Sequence, residues 1–256
     1  MNILVSNDDG YQAEGIRQLV KALSQKGDVY VFAPDSQRSA SSHALSITGR
    51  VTVTEIDFPY AKKAWKLSGT PADCSKMGLD IMKQQGIPVD IVYAGINHGA
   101  NLGTDTMYSG TVSAAAEGMF VGLPSVAVSV ASHGAKHFEA ACDLAVKVFD
   151  AALETAGRNT LISINTPNLP ASQIKGVKPA RLGNTIYDEW LHVVDRKEDG
   201  SLVYEYTGCV IGYEDMDDDI DLKLVHDGYA TISALRYDLN DYEEMKKIKE
   251  WGIYDF

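Results

Sequence analysis

The sequence predicts an α/β protein whose core is a doubly wound, mostly parallel β-sheet with helices on both faces. Two observations favour this fold class. Over about the first 165 residues, strand-like and helix-like segments alternate, and repeated βα units form right-handed parallel sheets. Hydrophobic residues make up 45% of the 256-residue chain, which is enough for one sizeable globular unit.

The first predicted elements are a strand, a loop, a helix and a second strand. Asn2–Asn7 predicts the strand, Asp8–Gly15 the polar loop, and the chain from there to about Gln25 the helix. The helix is predicted because apolar residues recur at helical spacing, namely Ile16, Leu19, Val20 and Leu23. Asp28–Ala33 predicts a second strand that ends at Pro34, since proline cannot donate to a β-ladder.

The next predicted elements are an edge segment and a capped helix. Polar and apolar residues alternate over Ala44–Ile56, a pattern typical of a hairpin or a long edge strand. Pro71–Gln85 predicts a helix, because Thr70 is a favourable N-cap and proline is favoured at the first helical position.

The core continues with Asp90–Ile96, a strand of the central type. The loop Asn97–Tyr108, rich in glycine and asparagine, follows this strand and leads into a helix over about Ser109–Val121. A strand, a helix and a last strand complete the pattern: Ser125–Val130, Phe138–Ala156 and Thr160–Asn165.

The pattern changes after Pro167, and we divide the single domain into a core (1–165) and a β-rich appendage with a C-terminal tail (166–256). Leu239–Trp251 predicts a terminal helix. The acidic run Glu214–Asp221 is more typical of a solvated turn than of a calcium site. Short strands are predicted at His192–Val194, Leu202–Tyr206 and Tyr229–Ser233.

Charge and composition exclude several classes of protein. The formal net charge is −12 with no basic stripe, so we expect no binding to a nucleic acid polymer. No stretch approaches the roughly 18–20 apolar residues of a membrane span. The N-terminus lacks the features of a signal peptide, and we expect a cytoplasmic protein with no membrane partner. The cysteines form no CxxC pair and are interpreted as buried apolar residues, at positions Cys74, Cys142 and Cys209.

The loop after the first predicted strand carries the first candidate site residues. In open α/β sheets, sites form beyond the carboxyl ends of the strands. Asp8 and Asp9 lie there, and two adjacent carboxylates repel each other unless a cation lies beside them. Hard oxygen ligands of this kind suit Mg²⁺, Mn²⁺ or Ca²⁺. A turn-forming Asp-Asp-Gly on the surface is the alternative interpretation.

Two further loops at the same predicted edge offer compatible groups. Ser39 is a candidate hydroxyl ligand and His43 a candidate contact to a substrate. A serine-rich segment is more often only a loop, and a lone histidine is more often a surface residue or a support of the site. Asn97 follows the third strand directly. Ser109–Thr111 (Ser-Gly-Thr) opens the next helix, where free N–H groups and the positive end of the helix dipole favour an anion. A simple N-cap is the alternative for that segment.

Five segments of the chain form a specific set of motifs: NDDG (Asn7–Gly10), APDSQRS (Ala33–Ser39) with His43, SGTPADC (Ser68–Cys74), GINHGANLGTDTMYSGTVSAAAEG (Gly95–Gly118) and LPSVAVS (Leu123–Ser129). In this order they resemble the motifs of the SurE (survival protein E) family of 5′-nucleotidases. The resemblance covers most of the chain, and its longest segment is very specific. Weaker likenesses follow at Ile162–Pro170, Arg181–Gly183 and Asp227–Leu235.

The resemblance implies a phosphatase that hydrolyses nucleoside 5′-monophosphates with one divalent cation, Mg²⁺ or Mn²⁺, per subunit. Nucleoside 3′-monophosphates and short polyphosphate are further substrates that it implies. The implied fold is a Rossmann-like three-layer core with a protruding β-hairpin and a C-terminal segment exchanged between the subunits of a homodimer or homotetramer.

The resemblance also assigns site residues by motif position. The metal ligands fall on Asp8, Asp9, Ser39 and Asn97, and the first two are also the candidate catalytic residues. The phosphate-binding and substrate-binding residues fall on Asn101, Ser109, Gly110, Thr111 and His43. Ala40 and Ser42 stand where the family usually has glycine, and Ala94 where it usually has serine. We expect these departures to affect substrate preference more than metal binding.

The expected mechanism is metal-assisted hydrolysis, in which the cation polarises a phosphoryl oxygen and positions a water. Asp8 would act as general base, and its direct attack on phosphorus is the less favoured alternative. Tyr108 is a candidate for stacking on the nucleobase, although packing is the more usual role of such a residue.

Three other classes of protein agree less well with the sequence. A response-regulator receiver needs a phosphorylatable aspartate after the third strand, where Asn97 stands. A phosphatase of the haloacid dehalogenase type needs DxDx(T/V) after its first strand, whereas this chain has Asp-Asp-Gly-Tyr over Asp8–Tyr11. The third alternative is a metal-bearing nucleotide-binding or scaffold protein without turnover.

Overall fold

The computed structural model describes residues 1–188, 191–206 and 208–253. Its helices and strands follow one another as β1 (Asn2–Ser6), α1 (Glu14–Leu23), β2 (Asp28–Pro34), β3 (Val53–Ile56), β4 (Lys63–Leu67), α2 (Pro71–Gln84), β5 (Ile91–His98), α3 (Gly110–Phe120), β6 (Ser125–Ala131), α4 (Glu139–Lys147), α5 (Phe149–Leu153), β7 (Leu161–Pro167), β8 (Val177–Pro179), β9 (Leu191–Arg196), β10 (Leu202–Tyr206), α6 (Asp221–His226), β11 (Ala230–Leu235) and α7 (Tyr242–Ile248). A 3₁₀ helix covers Gly103–Tyr108.

The central sheet is mostly parallel, as the sequence predicts. It has nine strands in the order β3-β4-β2-β1-β5-β6-β7-β11-β8. Val5 of β1 pairs in parallel with Val31 of β2 and Tyr93 of β5. Within this sheet, only the pairs β3–β4 and β7–β11 are antiparallel among the described strands. The carboxyl ends of β1, β2, β5, β6 and β7 therefore lie at one edge of the sheet.

Helices cover both faces of this sheet and complete three layers. Successive residues of a strand point to opposite faces, so Ile3 and Val5 of β1 pack in the core with α1 and α4. Leu4 faces the other way and packs in the core below α2. The α/β class with a Rossmann-like arrangement is confirmed.

Local capping explains where the two helices nearest the site begin. Thr70 Oγ1 accepts a hydrogen bond from the Asp73 N–H at 3.1 Å, and an Asp73 carboxylate oxygen accepts one from the Thr70 N–H at 2.9 Å. This capping box fixes the first turn of α2 and confirms the predicted N-cap. Ser109 Oγ accepts from the Val112 N–H at 3.0 Å and caps α3 in the same manner.

Several predicted boundaries are wrong. Of Ala44–Ile56, only the last four residues form a strand, β3, and its partner β4 was not predicted. The lysines of β4 make its sequence look polar. The strand is nevertheless partly buried, since Trp65 is 6% exposed and stacks on Phe32 with ring centroids 4.4 Å apart. The predicted helix Phe138–Ala156 is divided at Val148, whose ψ of −8° departs from helical geometry.

The segment after residue 165 contributes both to the core sheet and to a hairpin. β9 and β10 form a separate two-stranded antiparallel sheet, which confirms the predicted hairpin. β11, close to the predicted strand Tyr229–Ser233, pairs instead with β7 of the core. α7 lies within the predicted terminal helix. In the described part of the chain, no helix combines the length and apolar character that crossing a bilayer requires.

Two interpretations of single segments need correction. All three cysteines are free, but only Cys74 is buried; Cys142 is half-buried and Cys209 is exposed. The acidic run Glu214–Asp221 is not solvated throughout, because Asp221 opens α6 and is 1% exposed. The Asp221 carboxylate accepts hydrogen bonds from backbone N–H groups of distant loops. The local sequence gives no indication of these contacts.

Candidate active site

The two carboxylates after β1 contact two other elements of the site edge. Asp8 is 3% exposed, and its Oδ1 accepts a hydrogen bond from Thr111 Oγ1 in α3 at 2.6 Å. Asp9 Oδ2 accepts a hydrogen bond from the His98 N–H at the end of β5 at 3.0 Å. The structure therefore brings residues about 90 to 100 positions apart together at the carboxyl edge of the sheet.

Both carboxylates are short of compensating positive charge. Burial raises the pKa of Asp8 to about 6, the Thr111 hydrogen bond partly offsets this, and the neighbouring charge of Asp9 raises the pKa further. Burial also raises the pKa of Asp9, against the opposing effects of the His98 N–H and of the charges of His98 and His133. A cation beside the pair would favour the ionised form of both groups.

Asn97 directly precedes His98, whose N–H contacts Asp9, so it lies at the same edge of the sheet. Its Nδ2 donates to the Gly99 carbonyl at 2.9 Å, and this donation leaves Oδ1 to accept from a donor or bind a cation. The pairing of β5 with β6 is irregular between Ala94 and Asn97, and such bulges re-aim side chains at active sites. Gly95 makes the bulge possible, since its φ is +128° and an added Cβ would lie 2.2 Å from the Val128 carbonyl oxygen.

The candidate metal ligands at this edge of the sheet are mainly oxygen atoms. Among the described residues, no three His, Cys, Asp or Glu side chains gather into a metal-binding group. A cation at this edge would depend on neutral oxygen donors in addition to the Asp8 and Asp9 carboxylates. Such hard donors fit Mg²⁺ or Mn²⁺ rather than a thiolate-bound metal.

Asn101 is held by the two neighbouring strands. Its Nδ2 donates to Ser129 Oγ at 2.8 Å, and its backbone N–H donates to Asn165 Oδ1 at 2.9 Å. Asn165 returns a bond from Nδ2 to the Asn101 carbonyl at 3.1 Å. Sequence reasoning missed Ser129 and Asn165 as supports of the loop. A polar residue near the end of each apolar strand, β6 and β7, is the signal that could have identified them.

Gly110 allows α3 to begin directly against Asp8. A Cβ added at Gly110 would lie 2.9 Å from Asp8 Cβ, 3.0 Å from Pro71 Cγ and 3.0 Å from Ser41 Oγ. The first turns of both α2 and α3 therefore meet at Asp8. Ser41 Oγ is buried without a hydrogen-bond partner, and sequence reasoning did not identify this hydroxyl as part of the site.

The loop after β2 approaches the site through its backbone. The Arg38 N–H donates to the Asp8 carbonyl at 2.7 Å, so the adjacent Ser39 lies near the carboxylates. Ser39 itself is exposed, and its Oγ accepts a hydrogen bond from Gln37 Nε2 at 2.9 Å. Its role as a metal ligand stays a prediction.

His43 lies against Glu117 of α3, and its contact with a substrate stays a prediction. His43 Nε2 is 2.7 Å from Glu117 Oε1, and Lys76 Nζ is 2.9 Å from Glu117 Oε2. Burial would raise the pKa of Glu117, but the His43 and Lys76 contacts outweigh burial and lower it. Tyr108 is 62% exposed, so it does not pack in the core, and its stacking on a nucleobase stays a prediction.

Asp221 anchors the segment that leads to α3. Its Oδ2 accepts from the Gly103 N–H at 2.8 Å, and its Oδ1 accepts from the N–H groups of Gly183 at 3.0 Å and Leu222 at 2.8 Å. Gly103 begins the 3₁₀ helix between Asn101 and α3. One buried carboxylate therefore fixes the far end of the loop to the C-terminal part of the chain.

Asp221→Asn is expected to lower the free energy of unfolding by about 1–2 kcal/mol, because an amide has one acceptor oxygen for backbone donors on two sides. Urea denaturation measures the change. The control is Asp218→Asn, since the Asp218 side chain is 97% exposed and its loss should change stability by less than about 0.5 kcal/mol. Equal effects of the two substitutions would show that Asp221 does not anchor the loop.

The fold and this edge together define a class: Rossmann-like α/β proteins with a carboxylate pair and a helix N-terminus at the carboxyl edge of the sheet. The family model described as "Survival protein SurE" matches residues 3–189, so the chain belongs to the SurE family, as its motifs predict.

Individual relatives agree with this assignment over the whole chain. The chain is 41% identical to the "5′-nucleotidase SurE" of Synechococcus sp. (strain JA-3-3Ab), with 100% of this chain and 99% of the relative covered. It is 40% identical to the protein of the same name from Pelotomaculum thermopropionicum, with 98% and 95% covered. The crystal structure of the SurE protein from Aquifex aeolicus is similar with a TM-score of 0.84 and 34% identity, covering 98% of this chain and 99% of the other.

Proposed function

We propose that this chain is a divalent-metal-dependent phosphatase that hydrolyses nucleoside 5′-monophosphates to nucleoside and phosphate. The observation that carries the proposal is the contact between the buried Asp8 carboxylate and Thr111 at the start of α3. A buried carboxylate next to the N-terminus of a helix supports a cation site beside an anion site. The curated relatives named 5′-nucleotidase SurE support the same activity.

The donor set fits a hard divalent cation, Mg²⁺ or Mn²⁺. Asp8, Asp9 and Asn97 would hold it, with Ser39 joining from the loop after β2. When bound, such a cation polarises a phosphoryl oxygen and neutralises charge that develops on it. One cation per subunit would suit the adjacent carboxylates of Asp8 and Asp9.

The chain's own residues bind and orient the phosphate. Gly110 and Thr111 occupy the first turn of α3, where backbone N–H groups have no partner within the helix and point towards an anion. Asn101 adds its amide, held in place by Ser129. Phosphoryl transfer requires little beyond such positioning and electrostatic stabilisation. Asp8 is the candidate general base towards the attacking water.

Wider properties of the family extend this proposal. We include nucleoside 3′-monophosphates and short polyphosphate as further substrates, a homodimer or homotetramer as the assembly, and the cytoplasm as the location. Exchange of the C-terminal segment between subunits is supported by α7, whose described side chains include none that is buried. The exposed apolar residues of the hairpin, Leu191, Val193 and Val194, are suited to contact with a second subunit.

A nucleotide panel assayed with different divalent cations tests the proposal. AMP, GMP and p-nitrophenyl phosphate should release phosphate with Mn²⁺ or Mg²⁺ and should not do so after treatment with a chelator. Restoring the metal should restore the activity. A protein that binds metal and nucleotide yet releases no phosphate from any of these esters would be a binding protein instead.

Metal binding should also stabilise the fold. Mn²⁺ at about 100 times its Kd is expected to add about 2.7 kcal/mol to the free energy of unfolding and to raise the melting temperature by roughly 5–10 °C. Thermal melts with Mn²⁺ and with chelator measure the difference. The double variant Asp8→Ala/Asp9→Ala is the control, and a shift of the same size in this variant would place the metal elsewhere.

A further inference from the structure

Glu117 is a charged residue in the buried middle of α3. It is 3% exposed, and the three residues before it in the helix are alanines. Its carboxylate has a partner on each side: Oε1 lies 2.7 Å from His43 Nε2, and Oε2 lies 2.9 Å from Lys76 Nζ. A buried carboxylate stays ionised only where such partners compensate for the loss of water. Glu117, His43 and Lys76 therefore form one unit, the Glu117 cluster.

His43 connects this cluster to the loop after β2 (residues 35–52). Its side chain is 17% exposed. The ring stacks on Phe120 with centroids 5.4 Å apart and lies edge-to-face with Tyr237 at 5.7 Å. His43 Nδ1 is buried without a hydrogen-bond partner, so Glu117 is the sole polar partner of the ring among the described residues. One hydrogen bond and two ring contacts thus fix His43 against α3.

The same loop is fixed by its backbone on both sides of Ser39. The Arg38 N–H donates to the Asp8 carbonyl at 2.7 Å, and the Ser42 N–H donates to the Tyr108 carbonyl at 3.0 Å. Between these bonds, the side chains of residues 39–41 make no hydrogen bond outside the loop within the described part of the chain. The position of Ser39 therefore depends on the backbone that precedes and follows it.

The backbone after Ser39 has an unfavourable conformation. The φ angle is +53° at Ala40 and +50° at Ser42, in the left-handed region that residues other than glycine rarely adopt. Such angles persist only where the surrounding contacts determine them. His43 is the next residue in the chain, so its contacts with α3 hold a conformation that the free loop would leave.

We infer that Glu117 is a positioning residue of the active site, which acts through His43 to hold the loop after β2 in the conformation that keeps Ser39 near the carboxylates. The inference rests on the proposed function, because Ser39 is a metal ligand only under that proposal. The restraint of the loop by the Glu117 cluster does not depend on the metal and can be measured without it.

Glu117→Gln tests the inference, because the amide keeps the shape of the side chain and removes its charge. Trypsin cleavage after Arg38, an exposed residue of the loop, is compared with cleavage after Arg17, which requires α1 to unfold. The ratio of the two rates is expected to rise about tenfold. The Kd of Mn²⁺, measured by electron paramagnetic resonance, should also rise about tenfold. Glu139→Gln is the matched control, since Glu139 is an exposed glutamate of α4 and its loss should change neither quantity.

A second substitution in the loop separates positioning from a defect in α3. Ala40→Gly, added to Glu117→Gln, should reverse both effects by about threefold, because glycine adopts a φ of +53° without strain. A defect confined to the packing of α3 would not respond to this change. His43→Phe is the second test variant, since it retains a ring against Phe120 and leaves Glu117 paired with Lys76. It should release the loop as Glu117→Gln does, even if Glu117→Gln fails to fold.

The inference would be rejected by an unchanged cleavage ratio in His43→Phe and in folded Glu117→Gln, by an equal rise in Glu139→Gln, or by no reversal with Ala40→Gly. Failure of the proposed function gives a different result. If the parent protein bound no Mn²⁺ and released no phosphate from any nucleotide, the cleavage ratios and their reversal would still support the restraint of the loop by Glu117. If it released phosphate while Glu117→Gln kept the parent's cleavage ratio and Kd of Mn²⁺, only the inference would fail.

Discussion

Asp8→Asn is expected to lower kcat for nucleoside monophosphates by about 10³-fold or more without unfolding the protein. The substitution removes a charge from the group that would bind the cation and face the attacking water. It retains an oxygen that can accept the 2.6 Å hydrogen bond from Thr111. Since a neutral amide is easier to bury than a carboxylate, the free energy of unfolding should not fall.

Phosphate release from AMP at saturating Mn²⁺, together with urea denaturation, measures both parts of this expectation. Asp80→Asn is the control, because Asp80 is an exposed residue of α2 whose substitution should leave kcat as in the parent protein. Near-normal turnover by a folded Asp8→Asn variant with manganese bound would remove Asp8 from the catalytic machinery.

The residues of the site that follow strands directly could be predicted from the sequence. Asp8, Asp9 and Asn97 each come at or just after the end of a strand, and the parallel arrangement of the strands places those ends at one edge. Thr111 is predictable for a similar reason, because it lies in the first turn of a helix that follows the glycine-rich loop. These predictions need only the ends of the strands and the start of a helix, which local sequence patterns indicate.

The residues that support the site could not be predicted in the same way. Asp221 contacts Gly103 across 118 positions, and Asn165 contacts Asn101 across 64. An acidic run and a polar residue in a strand give no sign of their distant partners. β4 was missed for a related reason, since Lys63 and Lys66 flank Ala64 and Trp65, and those two become buried when β2 pairs beside the strand.

Gly110→Ala is expected to lower kcat by about 10²-fold, because displacing a catalytic group by about 1 Å costs that much. The added methyl group would lie 2.9 Å from Asp8 Cβ, closer than two carbon atoms can approach without repulsion. Either Asp8 or the start of α3 must then move, and the two halves of the site separate. Stability should change little, since alanine favours a helix by about 1 kcal/mol over glycine and offsets part of the clash.

A loss of kcat without a loss of stability would show that Gly110 positions Asp8 and the start of α3 rather than supporting the fold. Gly49→Ala is the matched control, because a Cβ at Gly49 meets no atom within 4 Å, and kcat should stay within about twofold of the parent value. Steady-state kinetics and urea denaturation of both variants provide the test. Gly110→Ala with full activity would show that α3 does not need to begin against Asp8. A loss of stability large enough to account for the lost activity would assign Gly110 a role in folding alone, so that the close approach of α3 to Asp8 would no longer support an anion site beside the carboxylates.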